Sequence, residues 1–207
     1  QPGESAVMPS ITLLHHTETD PDNATNHWRH FFMDCIMRRV EGGLFPPHLS
    51  GGTSWLYAEM KDATEANQID AMDQYLKHSI PIDYWWMDAG WYSYNEGWYD
   101  GVGNWTVDKN RYDNGIIELS DYAKEKGLKH TLWYEPERVF PGTEFYNKGM
   151  ENPGWLISVD GEDNLMWNLA DEDALKYYSD YILASLKENG VTIYRQDFNF
   201  APLKYWQ

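Results

Sequence analysis

Hydrophobic and polar positions along the chain form a recurring pattern with two kinds of segment. A short β-rich run ends on a polar or acidic residue, and after a loop comes a longer stretch with apolar residues at helical spacing. Strand and helix patterns that alternate in this way are typical of βα units around a parallel sheet. The expected fold class is therefore α/β.

Three helices are predicted after residue 60. The first follows Asp62, which has the spacing of a capping box with Glu65 three residues later. The second begins at Asn114, a residue type that favours the N-cap position. The third has an acidic first turn at Asp171 and ends at Gly190. All three have an apolar row that can face a sheet.

Four β-rich runs predict strands, and three of them lead directly into a carboxylic acid. The acids are Asp88, Glu135 and Asp197. Right-handed βα crossovers place the carboxyl ends of parallel strands at one edge of the sheet, so we expect these acids to converge there. The predicted strands are residues 48–55, 82–87, 128–134 and 191–196.

Charge and composition exclude several classes of partner and site. The formal net charge of −17 would repel nucleic acids and anionic membrane surfaces, and no apolar run approaches the roughly 20 residues that span a bilayer. Cys35 is the only cysteine, and the seven histidines lack metal-ligand spacing. We therefore predict no nucleic acid, membrane, metal or cofactor, and leave a cytoplasmic or secreted location open.

Aromatic residues are unusually frequent for so polar a chain. It contains 11 Trp and 15 Tyr at a mean hydropathy of −0.67. Convergent carboxylates could bind a divalent metal or carry out acid/base and nucleophilic chemistry on a neutral substrate. The aromatic residues that flank the acids favour the second interpretation, because Trp and Tyr stack on sugar rings as well as packing in cores.

Three motifs resemble those of glycoside hydrolase family 36, the bacterial α-galactosidase family. Residues 133–139, WYEPERV, resemble its WFEPExV motif. Residues 87–92, MDAGWY, resemble LDDGWF, and residues 194–199, YRQDFN, resemble the nucleophile motif YxKWDMN. All three occur in the family's order.

The resemblance implies a fold and a division of the chain. Residues 43–207 would form about the first four βα units of a (β/α)₈ catalytic barrel. Residues 1–42 would hold the tail of an upstream β-rich domain and a helix predicted at residues 26–40, in which Cys35 fills the core. Both ends of the chain are interpreted as cut.

In catalysis, the family resemblance implies a retaining mechanism with a covalent glycosyl-enzyme intermediate. Asp197 matches the nucleophile after the fourth strand. The family's acid/base aspartate follows the sixth strand, so the chain alone is expected to have negligible activity. The alternatives are a carbohydrate-binding protein on a decayed barrel and a half-barrel that associates with a second copy through its open strand edges.

Substrate-binding candidates come partly from the resemblance and partly from position. Asp88 matches an aspartate that binds sugar hydroxyls, Trp105 matches a stacking tryptophan, and Arg195 stands where the family has a sugar-binding lysine. Trp55 and Glu135 are candidates by position, with core packing and a structural ion pair as the alternatives.

Two departures from the family motifs leave the sugar open. Ala89 replaces the second aspartate of the DD pair, and Gln196 replaces the tryptophan beside the nucleophile. Buried polar groups that recognise hydroxyls account for much of an enzyme's discrimination between sugars. The expected substrates are therefore α-linked galactosides or related α-glycosides.

Overall fold

The structure is a computed structural model that describes residues 3, 5, 10–17, 19–44, 48–53, 57 and 60–207. The chain divides into two compact units, residues 1–47 and residues 48–207. The predicted division after residue 42 and the upstream β-rich domain stay predictions.

The described residues of the first unit form an α-helix, a π-helical turn and a hairpin. Helix α1 (Pro21–Phe31) is capped by Asp20, whose side chain accepts a hydrogen bond from the backbone of Asp22 at 2.9 Å. One π-helical turn follows at Phe32–Ile36. Strands β1 (Arg39–Val40) and β2 (Gly43–Leu44) then pair antiparallel.

Two predictions for this unit are wrong. The helix expected to reach Val40 ends earlier, because Met37 takes an extended conformation and the chain enters the hairpin. Cys35, expected in the core, is exposed. Helical spacing shows that a residue lies on the apolar face of a helix, but it does not show that another element covers that face.

The second unit alternates strands with helices and ends in a short helix. None of the helices formed by the described residues combines the length and the apolar content needed to cross a bilayer. In chain order the elements are β3 (Ser50–Gly52), α2 (Glu65–Lys77), β4 (Tyr84–Met87), α3 (Ile116–Glu125), β5 (Lys129–Tyr134), β6 (Arg138–Val139), α4 (Glu144–Met150), β7 (Leu156–Ile157), β8 (Leu165–Trp167), α5 (Glu172–Glu188), β9 (Ile193–Gln196) and α6 (Leu203–Trp206).

A four-stranded parallel sheet in the order β3-β4-β5-β9 organises this unit and confirms the α/β prediction. The order follows the sequence, as in the first half of a (β/α)₈ barrel. Trp86 lies opposite Thr131, and Trp133 lies opposite Arg195. Because side chains alternate along a strand, these four residues share one face of the sheet.

The other face of the sheet packs against the helices and forms part of the core. Trp85 and Leu132 are fully buried there in one cluster with Met72 of α2 and Leu119 of α3. The Trp85 Nε1 donates to the buried Gln68 Oε1 at 3.2 Å. Each such large apolar side chain contributes roughly 1.5–3 kcal/mol relative to an exposed position, so this face anchors the strands.

Glycines in β3 allow close packing that larger residues would prevent. A Cβ atom on Gly51 would lie 2.9 Å from the Tyr75 ring, and one on Gly52 would lie 2.8 Å from the Trp86 carbonyl oxygen. The Tyr75 hydroxyl donates to the Gly52 carbonyl at 3.0 Å. The first predicted strand is formed at residues 50–52. Its two glycines leave the space that Tyr75 and Trp86 occupy.

Two helix starts differ from the prediction. Helix α2 is capped by Thr64 with Asn67 in a reciprocal capping box, two residues after the predicted pair of Asp62 and Glu65. Helix α3 has Gly115 at its N-cap, whereas Asn114 donates to Glu65 of the neighbouring helix at 2.8 Å. Capping side chains are short and can serve either a helix end or a tertiary contact.

The segment after β5, expected to be a long loop, is partly ordered into secondary structure. Strands β6, β8 and β7 form a small antiparallel sheet in that order, and α4 precedes β7. Phe145 of α4 packs against Trp167 of β8 and Tyr178 of α5, with ring centroids 4.9 and 5.4 Å apart. This subdomain therefore rests on the helix layer.

His130 of β5 is buried as a neutral side chain. Its Nδ1 lies 2.8 Å from the Ser120 Oγ, which donates to the Asn189 carbonyl at 2.6 Å, while its Nε2 is buried without a partner among the described residues. Since the hydroxyl hydrogen is used, we assign the proton of the ring to Nδ1. Burial lowers the pKa of His130 to about 4.

His130 should make the protein less stable in mild acid. Between pH 6.5 and about 4 the unfolded chain binds a proton that the folded state excludes, so the free energy of unfolding falls with pH, by on the order of 3 kcal/mol. The variant His130→Asn keeps a donor but cannot titrate. In urea unfolding at pH 7 and 4.5, we expect a shallower pH dependence for the variant; identical slopes would contradict the assignment.

Candidate active site

Three acids follow three neighbouring strands of the parallel sheet, as its topology predicts. Asp88, Glu135 and Asp197 come directly after β4, β5 and β9. Each acid is two residues after Trp86, Trp133 or Arg195, which share one face of the sheet. The acids therefore extend that face at the carboxyl edge, where parallel α/β folds build their sites.

Asp197 receives hydrogen bonds from three side chains. The Trp133 Nε1 and the Asn199 Nδ2 donate to its Oδ2, each at 2.9 Å, and the Arg195 Nη2 donates to its Oδ1 at 2.9 Å. Its backbone N–H donates to the Tyr134 carbonyl at 2.8 Å, which continues the pairing of β5 and β9. The side chain is 29% exposed, so solvent and ligands can reach a firmly held carboxylate.

These donors keep Asp197 ionised. Partial burial alone would raise the pKa of Asp197, but the hydrogen bonds from Trp133, Asn199 and Arg195 outweigh it and lower the pKa to about 2. The group is therefore a carboxylate at any ordinary pH and can act as a nucleophile or as a stabilising negative charge.

Arg195 connects the nucleophile candidate with Asp88 through Trp86. The guanidinium lies over the Trp86 ring, 5.3 Å from its centroid, while it donates to Asp197. The Trp86 Nε1 donates to the Asp88 Oδ2 at 3.4 Å, and the Asp88 Oδ1 accepts from the Ala89 backbone at 2.7 Å. Asp88 and Asp197 are thus parts of one network.

Glu135 is fully buried, and its contacts are with protein groups. The Arg138 Nη2 donates to its Oε2 at 2.7 Å, and Asn199 donates from its backbone N to Oε1 at 3.3 Å and from Nδ2 to Oε2 at 3.4 Å. The Arg138 guanidinium also lies 5.3 Å above the Trp98 ring. The buried Glu135 carboxylate thus holds Asn199, which in turn donates to Asp197.

Trp105 does not form an open stacking surface beside this network. Trp105 is 3% exposed and packs among Trp91, Tyr92 and Tyr134, with ring centroids 5.2–6.2 Å apart, so neither ring face is free for a sugar in this structure. Trp55 lies outside the described residues. The roles of both residues stay predictions.

The site also contains side chains that sequence reasoning did not select. Trp86, Trp133, Asn199 and Arg138 all contact a predicted acid or its partner. Period-two alternation could have found the first three, because each lies two residues from Asp88, Glu135 or Asp197 in sequence. Arg138 is one helical turn from Glu135 in sequence but lies on a short strand, so no single period indicates it.

Comparison with known proteins shows the family. The family model described as Melibiase matches residues 57–201, which is more than half of the chain. The chain belongs to this family. The match includes the three strand-end acids and every side chain that binds Asp197.

Relatives of this Melibiase-family chain are α-galactosidases. AgaA of Geobacillus stearothermophilus is 24% identical over 209 residues, covering 96% of this chain and 27% of the relative. Mel36A of Lactobacillus acidophilus is 30% identical over 166 residues, covering 77% and 21%. A crystal structure of an AgaA variant in complex with 1-deoxygalactonojirimycin superposes with a TM-score of 0.63 at 25% identity, covering 74% and 21%. The chain thus spans about a quarter of the length of these relatives.

The buried ion pair of Glu135 and Arg138 should contribute strongly to stability. Their side chains are 0% and 8% exposed, and Arg138→Met would leave the carboxylate buried and unpaired, at a cost of about 3–5 kcal/mol. The matched control is Lys176→Met, which removes the exposed pair with Asp180 on α5 and should change little. Urea unfolding at pH 7 measures the free energy of unfolding of both variants. Equal losses would show that the buried pair contributes no more to stability than the exposed pair.

Proposed function

We propose that this chain supplies the nucleophile of a retaining α-galactosidase-type active site, with Asp197 as that nucleophile. The observation that carries the proposal is the state of Asp197: an accessible carboxylate at a strand end, held by three donors and ionised at ordinary pH. The Melibiase family match and the α-galactosidase relatives support the same reaction class.

In the proposed reaction Asp197 attacks the anomeric carbon and forms a glycosyl-enzyme ester. A second carboxyl group protonates the leaving oxygen and then activates water; the two groups lie about 5–5.5 Å apart in retaining enzymes. Glu135 does not suit this second role, because it is buried against Arg138. We propose that the acid/base comes from a part of the enzyme outside these 207 residues.

The low pKa of Asp197 suits both steps of this reaction. The negative charge stabilises the oxocarbenium-like transition state on one side of the sugar ring. The donors that lower the pKa also stabilise the carboxylate when water displaces it, so the ester is a reactive intermediate. They reduce intrinsic nucleophilicity, but the protein holds the carboxylate in position before the substrate arrives.

The proposed substrates are α-galactosides or related α-glycosides. The relatives are named α-galactosidases, and one neighbouring structure contains 1-deoxygalactonojirimycin. Asp88 would accept and Arg195 would donate hydrogen bonds to sugar hydroxyls, a pairing that suits a neutral polyol. Ala89 stands where the family has the second aspartate of its DD pair. Asp88 would therefore be the one carboxylate of this motif that binds sugar hydroxyls, which favours a sugar that does not need the second carboxylate.

A carbohydrate-binding protein without catalysis is the second candidate. The observation that favours it is the buried Ala89, which cannot replace the hydrogen bonds of a carboxylate. The same proposed contacts of Asp88 and Arg195 would then hold a sugar without cleaving it. Covalent trapping separates the two candidates.

The test uses a fluorinated α-galactosyl fluoride and the full-length polypeptide that contains this sequence. Fluorine on the ring slows both steps, and the fluoride leaving group restores the first step, so the glycosyl-enzyme should accumulate. We expect mass spectrometry to find the adduct on the peptide with Asp197. Asp197→Asn should abolish the adduct and lower kcat on an aryl α-galactoside by on the order of 10⁴-fold or more.

The control is Asp180→Asn, which changes an exposed aspartate of α5 and should label normally. An adduct on another residue would overturn the assignment of Asp197. Sugar binding with no adduct and no turnover in the wild-type protein would support the non-catalytic candidate instead.

A further inference from the structure

Arg111 directs all five N–H groups of its guanidinium at acceptors within the chain. Its Nε donates to the Asp108 Oδ2 at 2.8 Å, and each Nη atom donates to two backbone carbonyls. The carbonyls belong to Met60 and Ala63, at 2.9 and 3.2 Å from Nη1, and to Gly90 and Tyr92, the latter at 3.0 Å from Nη2. Because the side chain is 13% exposed, these acceptors compensate for the hydration that the charge loses.

The four carbonyls come from two loops at the carboxyl edge of the sheet. Met60 and Ala63 lie between β3 and α2, whereas Gly90 and Tyr92 lie between β4 and α3. The two backbones touch directly, since a Cβ atom on Gly90 would lie 2.9 Å from the Met60 Cα. Gly90 also has a φ of +90°, in the region that favours glycine. Arg111 therefore binds both loops at the point where their backbones meet.

The segment that leads into α3 is joined to the loop after β4 by its backbone as well. Val107 and Tyr92 form an antiparallel bridge, and the Asp108 N donates to the Trp91 carbonyl at 3.1 Å. The Trp91 Nε1 in turn donates to the Trp133 carbonyl of β5 at 2.9 Å. The loop after β4 is thus held between the sheet and this segment.

Through Gly90, the guanidinium restrains the backbone that orients Asp88. The Asp88 Oδ1 accepts from the Ala89 backbone N at 2.7 Å, and its Oδ2 accepts from the Trp86 Nε1 at the longer distance of 3.4 Å. The shorter bond depends on the backbone conformation of residues 88–90. Peptide groups are planar, so a fixed carbonyl at Gly90 limits the rotations that are left to the two preceding residues.

We propose that Arg111 is a positioning residue that holds the turn after β4 so that Asp88 faces the hydroxyls of an α-galactoside. This inference rests on the proposed function, in which Asp88 accepts hydrogen bonds from the sugar. Arg111 acts through the Gly90 carbonyl and the Ala89 N–H, and the contacts to Met60 and Ala63 anchor it to the neighbouring loop.

Replacement of Arg111 by lysine should weaken substrate binding more than the chemical step. Arg111→Lys keeps the charge, but an ammonium has three donors at one point, whereas a guanidinium spreads five over a planar fork. In the full-length protein we expect KM for an aryl α-galactoside to rise about 5- to 10-fold, with kcat within about 3-fold of wild type. An unchanged KM, or a fall in kcat alone, would overturn the positioning role.

A double-mutant cycle tests whether Arg111 acts through Asp88. Two residues that act on the same contact give non-additive effects, whereas independent residues give additive ones. In the Asp88→Ala background, we therefore expect Arg111→Lys to lower kcat/KM by no more than about 2-fold further. The full 5- to 10-fold loss in that background would show that Arg111 affects the fold in general and would contradict the inference.

The matched control is Arg29→Lys, the same replacement at an exposed arginine of α1 that donates to Asn26 at 3.0 Å. It should keep the wild-type KM and kcat. If Arg111→Lys does not fold, as judged by circular dichroism, Asp108→Asn decides the question, because it removes the carboxylate to which the Arg111 Nε donates. We expect Asp108→Asn to raise KM about 3-fold, and an unchanged KM in this folded variant would overturn the role.

The outcomes separate this inference from the proposed function. Labelling of Asp197 in the wild type, with an unchanged KM in Arg111→Lys, would overturn the role of Arg111 and leave the nucleophile assignment intact. Absence of labelling in the wild type would overturn the nucleophile assignment. The Kd of methyl α-galactoside, measured by calorimetry, would then decide the role of Arg111, with the same 5- to 10-fold rise expected in Arg111→Lys and an unchanged Kd contradicting it.

Discussion

The buried ion pair between Glu135 and Arg138 is the interaction on which the rest of the site depends. A carboxylate with no exposed surface is tolerated only when a cation and further donors compensate for its lost hydration. Arg138 supplies the cation, and Asn199 supplies the remaining hydrogen bonds. Because the same Asn199 amide also donates to Asp197, the charge buried under the rim determines how the accessible carboxylate is held.

The sheet provides the second constraint, since alternation decides which side chains meet. Residues at positions two apart share a face, so Trp133 and Glu135 of one strand end meet Arg195 and Asp197 of the next. A one-residue slip of β9 against β5 would send Arg195 and Asp197 to the helix side. The hydrogen bond from Asp197 to the Tyr134 carbonyl extends the pairing beyond the last strand residue and protects this register.

Sequence reasoning predicts the parallel order of the strands and the acids at their ends, because strand runs and their terminal residues are local features. It fails where the position of a side chain depends on contacts with other elements of the fold. Asn114 suits an N-cap but binds Glu65 instead, and Cys35 lies on an apolar stripe that leaves it exposed. The bridge through Asn199 was not predicted either, since it depends on the distance between two loops that no local pattern specifies.

Arg195 shows how a departure from the family motif can form part of a coherent site. The family has lysine here, a compact charge on a flexible stem, whereas arginine has a planar group that can stack and donate at once. Arg195 uses both properties: it lies on the Trp86 ring and donates to Asp197. Since Trp86 also donates to Asp88, the ring fixes the guanidinium and links both carboxylates. Arg195 and Trp86 therefore act as one unit, and the meaning of the substitution depends on the aromatic residue beneath it.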